Sequence, residues 1–185
     1  ECHRVGEEKL QHSARSGTLA IDLGSTTTVV AFQAEDADRP QLLDLPPISR
    51  RSGEVPSLVW TRAGDAPLVG QQVIESGLAD LQDPRLATDF KRAIGSETGS
   101  SDAENAGEQL LQQIWSHLPE QHRLRRLVLT APVERYRSYR QWLLQACERL
   151  PVEEIALVDE PTAAALGAGL PAGARLLVVD LGGST

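Results

Sequence analysis

Two aspartates, each closing an apolar run and opening a turn of glycine and hydroxyls, are the residues of this chain best suited to chemistry. Residues 19–28 read LAIDLGSTTT and residues 177–185 read LVVDLGGST. In the first, Asp22 is followed by Gly24, Ser25, Thr26 and Thr27; in the second, Asp180 is followed by Gly182, Gly183, Ser184 and Thr185. A glycine in such a turn lets the backbone fold tightly and approach a ligand. The amides and hydroxyls that follow can face phosphate oxygens. An aspartate at the strand end then points at the cation that travels with those phosphates, magnesium above all. One such turn is also an ordinary hairpin with an Asx turn. Two copies with the same order of residue types suit a nucleotide held between facing loops.

Two further residues have the right chemistry for phosphoryl transfer. Glu160, in VDEPTAAALGAG, lies between an apolar strand and a helix start. A carboxylate there can orient a water for attack on a phosphate, or sit near magnesium. It is equally a carboxylate favoured by the helix dipole. Lys91, in DFKRAIG, is a natural cation for a transferring phosphoryl group. Taken alone it is also an ordinary surface lysine. The run Arg123, Arg125, Arg126, Arg135, Arg137 and Arg140 reads as a solvated helix face. Cys2, His3 and His12 have metal-binding side chains, but no second cysteine pair accompanies them.

The elements that must position these residues follow from periodicity. Residues 19–23 and 27–33 are strands around the first turn, rich in β-branched residues. A weaker strand over 42–45 ends at Pro46-Pro47, and 57–60 is a short strand. Helical spacing predicts a helix over 71–81. A second helix is announced by a capping box of Ser101 and Glu104, with Ala103, Ala106, Leu110, Ile114 and Leu118 on one face. Residues 127–130 and 155–158 are short apolar strands of the kind buried in parallel sheets. Between them, 135–150 is a helix with Tyr136, Tyr139, Leu143, Cys147 and Leu150 inward. Pro161 starts a helix that stops at Gly167 and Gly169. A last strand, 176–181, restarts the pattern, as in a duplicated fold cut after its first copy.

The chain has 185 residues, a formal charge of −8, 41% hydrophobic and 24% charged residues, which are globular values. An acidic balance argues against a nucleic-acid partner. No apolar run reaches transmembrane length and no signal peptide appears, so no membrane partner is expected. Two cysteines, Cys2 and Cys147, make no disulfide framework and fit a reducing, cytoplasmic setting. The sequence contains no methionine and stops on Thr185, inside the second loop, which reads as a fragment of a longer protein.

In this order, IDLGSTTTVVAF, DFKRAIG, LTAPVERYRSYRQWLLQAC, VDEPTAAALGAGL and VVDLGGST resemble the nucleotide-binding domain of heat-shock protein 70 (DnaK-type) chaperones. The resemblance runs from about residue 19 to 185, the first half of that domain, within the actin-like ATPase superfamily. It implies an α/β fold: a ribonuclease H-like lobe, a mixed sheet with flanking helices and a small inserted subdomain. Residues 18–49 and 124–170 would form the base of this lobe, 50–123 the inserted upper subdomain, 171–185 the start of a second lobe, and 1–17 a disordered leader. It implies ATP or ADP with magnesium as cofactors. Asp22 and Asp180 would organise the metal and its waters, with Glu160 nearby. Gly24, Ser25, Thr26, Thr27, Gly182, Gly183, Ser184 and Thr185 would contact phosphates, and Lys91 would be the catalytic lysine. Pro132 and Arg140 match the proline and arginine that relay nucleotide state to a peptide-binding domain. Unfolded or hydrophobic peptides, a J-domain co-chaperone and a nucleotide-exchange factor would be partners of the full-length protein.

The chain departs from the family pattern at Ser25, usually threonine, and Thr27, often tyrosine. The strand-rich segment after KRAIG is largely missing, which implies a small upper subdomain. GAGLP also resembles the bacterial actin-like filament proteins. An actin-like filament or scaffold ATPase, or a non-hydrolysing nucleotide-binding module, is therefore the alternative reading.

Overall fold

Alternating apolar residues on either side of the Asp22 turn build the centre of the molecule. In the computed structural model, which describes residues 15–80, 82–96, 100–120, 122–134, 136–171, 173, 175 and 177–179, β1 (Arg15–Asp22) and β2 (Thr27–Ala34) pair antiparallel, Leu19 opposite Phe32 and Ile21 opposite Val30. Because side chains alternate between faces, these residues share one side of the sheet. The same rows continue through β8 (His122–Ala131), parallel to β1, and β9 (Glu154–Asp159), parallel to β8. Phe32, Leu19, Leu127 and Ile155 form one row, and Val30, Ile21, Leu129 and Leu157 the next. All of them except Ile155 and Leu157, which pack against the core half-buried, are inaccessible or nearly so. With β3 (Gln41–Leu42) and β4 (Glu54–Pro56) on β2, the order is β3-β2-β1-β8-β9.

Two helices close this core. α2 (Ser100–Ser116) buries Ala103, Ala106, Leu110, Leu111 and Ile114, and α3 (Tyr136–Cys147) buries Tyr139, Trp142, Leu143 and Cys147. Both sets recur at helical spacing and join the sheet residues in one cluster. Each fully buried large apolar side chain contributes about 1.5–3 kcal/mol relative to exposure. The Cys147 thiol is pushed up to about 12 by burial, so it behaves as a small hydrophobe. A smaller antiparallel sheet, β6 (Leu68–Val69), β5 (Val59–Trp60) and β7 (Leu86–Ala87), lies off the main one. α1 (Gln71–Glu75), a 3₁₀ turn (Phe90–Ala93) and α4 (Glu160–Gly167) complete the chain. Among the described residues, no helix is long and apolar enough to cross a membrane.

Several elements differ from the pattern-based expectation. β1 starts at Arg15, so three residues expected in a leader are strand; the rest of that leader lies outside the described residues. The extension forms because Arg15, Ser16 and Gly17 find partners in His122, Arg123 and Leu124 of β8. The helix over 71–81 is only α1, since Gly77 turns the chain at φ 66. The strand over 57–60 is shortened to 59–60: the chain leaves β4 at Pro56 and enters the small sheet only at Val59. The capping box of Ser101 and Glu104 is not seen: Glu104 meets the hydroxyl of Ser100, the first residue of α2, and both side chains accept from the Gly95 amide. Arg123, Arg125 and Arg126 lie on β8, not a helix, and Arg125 is not simply solvated: it reaches Glu35 at 2.7 Å and Glu153 at 3.1 Å. The strand over 176–181 does not form among its described residues. Leu177, Val178 and Val179 are exposed and carry no strand assignment.

Candidate functional site

The turn after Asp22 is built from its own backbone and braced from behind. A Cβ placed on Gly24 would lie 2.1 Å from the Thr27 carbonyl oxygen. Glycine is therefore required for the loop to close on itself. Ser57, buried where the chain passes between sheets, donates its hydroxyl to the Gly24 carbonyl at 2.7 Å. A hydroxyl has one proton, so the Thr28 hydroxyl, 2.9 Å away, is the donor to Ser57 Oγ. The Ser57 amide also donates to the Thr26 carbonyl at 2.9 Å. Thr28 is thus structural. Ser25, Thr26 and Thr27 are left to line a cleft of about 460 Å³ shared with Arg50, Thr88 and Asp89.

Four elements supply the charged side chains of the candidate site and their two polar contacts. Asp22 at the end of β1 accepts a 2.5 Å hydrogen bond from the Thr130 hydroxyl on the neighbouring parallel strand β8. Glu160 opens α4, and its Oε1 receives Lys91 Nζ at 2.5 Å. The two side chains are 13% and 27% exposed, so the pair is partly desolvated and less screened by solvent than a surface ion pair. Lys91 rides on the 3₁₀ turn, whose position is set by burial of Phe90 and Ile94. Asp159, just before Glu160, caps α4 by accepting from the amide and the hydroxyl of Thr162, both at 2.8 Å. Those bonds hold the Asp159 carboxyl below its ordinary range. The cap fixes where the chain leaves β9, and so where Glu160 begins.

Apart from the Lys91 ammonium, the side chains here that could ligate a metal, Asp22, Glu160 and the loop hydroxyls, offer oxygen alone, and the two carboxylates outweigh the one cation. This set fits magnesium, which prefers oxygen, keeps most of its waters and binds through few carboxylates plus phosphate. Among the described residues no group of three or more acidic, histidine or cysteine side chains forms a closed metal cage. Lys91 and Glu160 are in contact. Asp22 is linked to β8, and Ser25, Thr26 and Thr27 share the cleft. The cleft is walled by neither Lys91 nor Glu160. Pro132 is half-buried just past β8, and Arg140 is exposed on α3. Asp180, Gly182, Gly183, Ser184 and Thr185, and with them the second loop, lie outside the described residues, as do Cys2, His3 and His12. Sequence reasoning missed Ser57 and Thr130, which position the turn and its aspartate. The serine of EVPSLVW and the threonine of LTAP were visible, but nothing local joins them to Gly24 or Asp22.

No protein-family model matches the chain. Curated relatives do. The chaperone protein DnaK of Thermotoga maritima is 28% identical over 179 residues, covering 90% of this chain and 29% of that protein. The chaperone protein HscA of Photorhabdus laumondii is 29% identical over 208 residues, covering 98% of this chain and 34% of that protein. DnaK of Thermosipho melanesiensis is 26% identical over 185 residues, covering 94% and 30%. The chain spans about a third of the length of the curated relatives it matches. Across nine-tenths of its length, then, this chain is similar to DnaK and HscA chaperones, the heat-shock protein 70 type that its motifs resemble.

Proposed function

We propose that this chain supplies phosphate-binding and hydrolytic residues of an ATP-hydrolysing chaperone of the heat-shock protein 70 type. The observation that carries the reading is the contact of Lys91 with Glu160, 69 residues apart in sequence. The order β3-β2-β1-β8-β9, with β2 antiparallel and β8 and β9 parallel to β1, supports a ribonuclease H-like lobe. In this reading residues 18–49 and 124–170 form its base, 50–123 the inserted subdomain and 171–185 the entry to a second lobe.

Ser25, Thr26 and Thr27 bind phosphate oxygens of ATP or ADP, with Gly24 keeping the turn closed. Asp22, held by Thr130, and Glu160 hold the magnesium that accompanies the nucleotide, mostly through water, with Asp180 contributing from the second loop. Magnesium, when bound, neutralises charge on the phosphates. Lys91 offers its ammonium to the transferring phosphoryl group, where developing charge is stabilised most. Glu160 orients a water. Gly182, Gly183, Ser184 and Thr185 face the same phosphates from the other side. Pro132 and Arg140 pass the nucleotide state on to a peptide-binding domain. Unfolded peptides, a J-domain co-chaperone and an exchange factor are the partners, in the cytoplasm.

The test is release of a fluorescent hydrophobic peptide from the full-length gene product. Magnesium-ATP speeds dissociation many-fold over ADP if the reading holds. A peptide off-rate indifferent to nucleotide, or no peptide binding at all, contradicts it.

A further inference from the structure

The cleft of about 460 Å³ that Ser25, Thr26 and Thr27 line carries a cation that none of the roles above uses. Its ionisable walls are Arg50, Glu54 and Asp89. Both carboxylates already have an arginine of their own. Arg51 Nη2 donates to Glu54 Oε1 at 2.6 Å, and Arg92 Nη1 stands 3.6 Å from Asp89 Oδ2. Arg50 is exposed and makes no ion pair among the described residues. It is the charge left to face the cleft.

The backbone sets Arg50 near the loop hydroxyls. β4 pairs antiparallel with the start of β2, Pro56 opposite Thr27 and Glu54 opposite Val29. The turn before β4 is closed by the Arg50 amide, which donates to the Glu54 carbonyl at 2.8 Å, and by the Glu54 amide, which donates to the Arg51 carbonyl at 2.9 Å. Gly53, at φ 78, supplies the left-handed conformation that this turn uses. On the other side of Arg50, the Ser49 amide donates to the Leu45 carbonyl at 3.0 Å. The side chain therefore hangs from a backbone fixed on both sides.

We propose that Arg50 is a phosphate-binding residue of this cleft, the cation that meets the anion held by Ser25, Thr26 and Thr27. A guanidinium stays charged at physiological pH, and its fork of N–H donors matches two phosphate oxygens at once. The loop hydroxyls and that of Thr88, which lines the same cleft, add neutral donors. Lys91 does not compete for this place, because it walls no part of the cleft and is bonded to Glu160. That the phosphate belongs to a nucleotide rests on the nucleotide reading; that the cleft takes a phosphate does not.

Titration calorimetry of the full-length gene product with ADP and with adenosine tests this, using wild type, Arg50→Gln and Arg39→Gln. Arg50 is exposed, so glutamine leaves the fold intact. Arg39 is an exposed arginine past Ala34, the far end of β2 from Thr27, and makes the same change of charge away from the cleft. Arg50→Gln is expected to weaken ADP about tenfold and to leave adenosine unchanged, while Arg39→Gln leaves both within about twofold. Unchanged ADP affinity in Arg50→Gln overturns the proposal. So does an equal loss for adenosine, or an equal loss from Arg39→Gln. A wild-type protein that binds no ADP removes the nucleotide reading, and inorganic tripolyphosphate then becomes the probe. Binding of tripolyphosphate that Arg50→Gln weakens about tenfold upholds the cleft as a phosphate site, and a wild-type protein that binds none overturns it.

Discussion

Lys91 Nζ and Glu160 Oε1 meet at 2.5 Å, joining a short 3₁₀ turn to the first residue of α4. Neither side chain is more than 27% exposed. Removing Lys91 therefore leaves the partly buried Glu160 carboxylate without its cation. We expect Lys91→Ala to lower stability by about 1–2 kcal/mol. Glu160→Ala in the same background should recover part of it, because the unpaired charge goes too. Urea unfolding of the three variants checks this, and additive losses would show that the pair carries no coupling.

Gly24 and Gly167 should respond oppositely to alanine. A Cβ on Gly24 meets the Thr27 carbonyl oxygen at 2.1 Å, and backbone has to move. At Gly167, the last residue of α4, a Cβ meets nothing within 4 Å. We expect Gly24→Ala to cost about 1–3 kcal/mol. Gly167→Ala should be neutral or stabilise by up to about 1 kcal/mol through helix propensity. Thermal unfolding midpoints distinguish the two directly.

Ser57→Ala leaves two buried polar groups, the Gly24 carbonyl and the Thr28 hydroxyl, without their partner. A loss of about 1–3 kcal/mol follows. Because the same bond fixes the turn, phosphate affinity should fall as well. Ser57→Thr, which keeps the hydroxyl, separates loss of the bond from a change of volume. Nucleotide titration of both variants provides the reading.

Much of the scaffold was legible, and the reason is local. TLAID and TTVVAF alternate strictly enough to place β1 and β2 within a few residues, and VDEPTAAALG starts at its proline and stops at its glycine. The motif resemblance pointed to Lys91 and Glu160, but no spacing rule says that two residues 69 apart will touch. Ser57 escaped notice for the same reason. Its role depends on the chain changing sheets between Pro56 and Val59, a tertiary event. The β8 arginines were misread because LRR before an apolar run carries no period. Only Arg126 finds its partner on the parallel strand β9, where it stands opposite Glu154 and bonds it at 2.8 Å, while Arg125 reaches Glu35 and Glu153.

The Asp159 cap makes stability depend on pH in one direction. Its carboxyl is held below the ordinary range by the Thr162 hydroxyl and amide. Its contribution is complete above the unfolded carboxyl value, about 3.9, and is lost as pH falls through the lower folded value. Asp159→Asn keeps an acceptor oxygen for the cap but cannot titrate. The difference in melting temperature between wild type and Asp159→Asn should be constant near neutral pH and shrink in acid. A difference that stays constant down to pH values near 2 would show that the carboxylate charge contributes nothing.

The claim that Lys91 and Glu160 serve phosphoryl transfer is tested most directly by single-turnover hydrolysis of radiolabelled ATP by the full-length gene product. Enzyme in excess of ATP, with magnesium saturating, isolates the chemical step. Lys91→Ala is expected to bind ATP within about threefold of wild type and to hydrolyse it at least about a hundredfold more slowly, because a cation at the phosphoryl group acts mainly on the transition state. Hydrolysis by Lys91→Ala at the wild-type rate would contradict it.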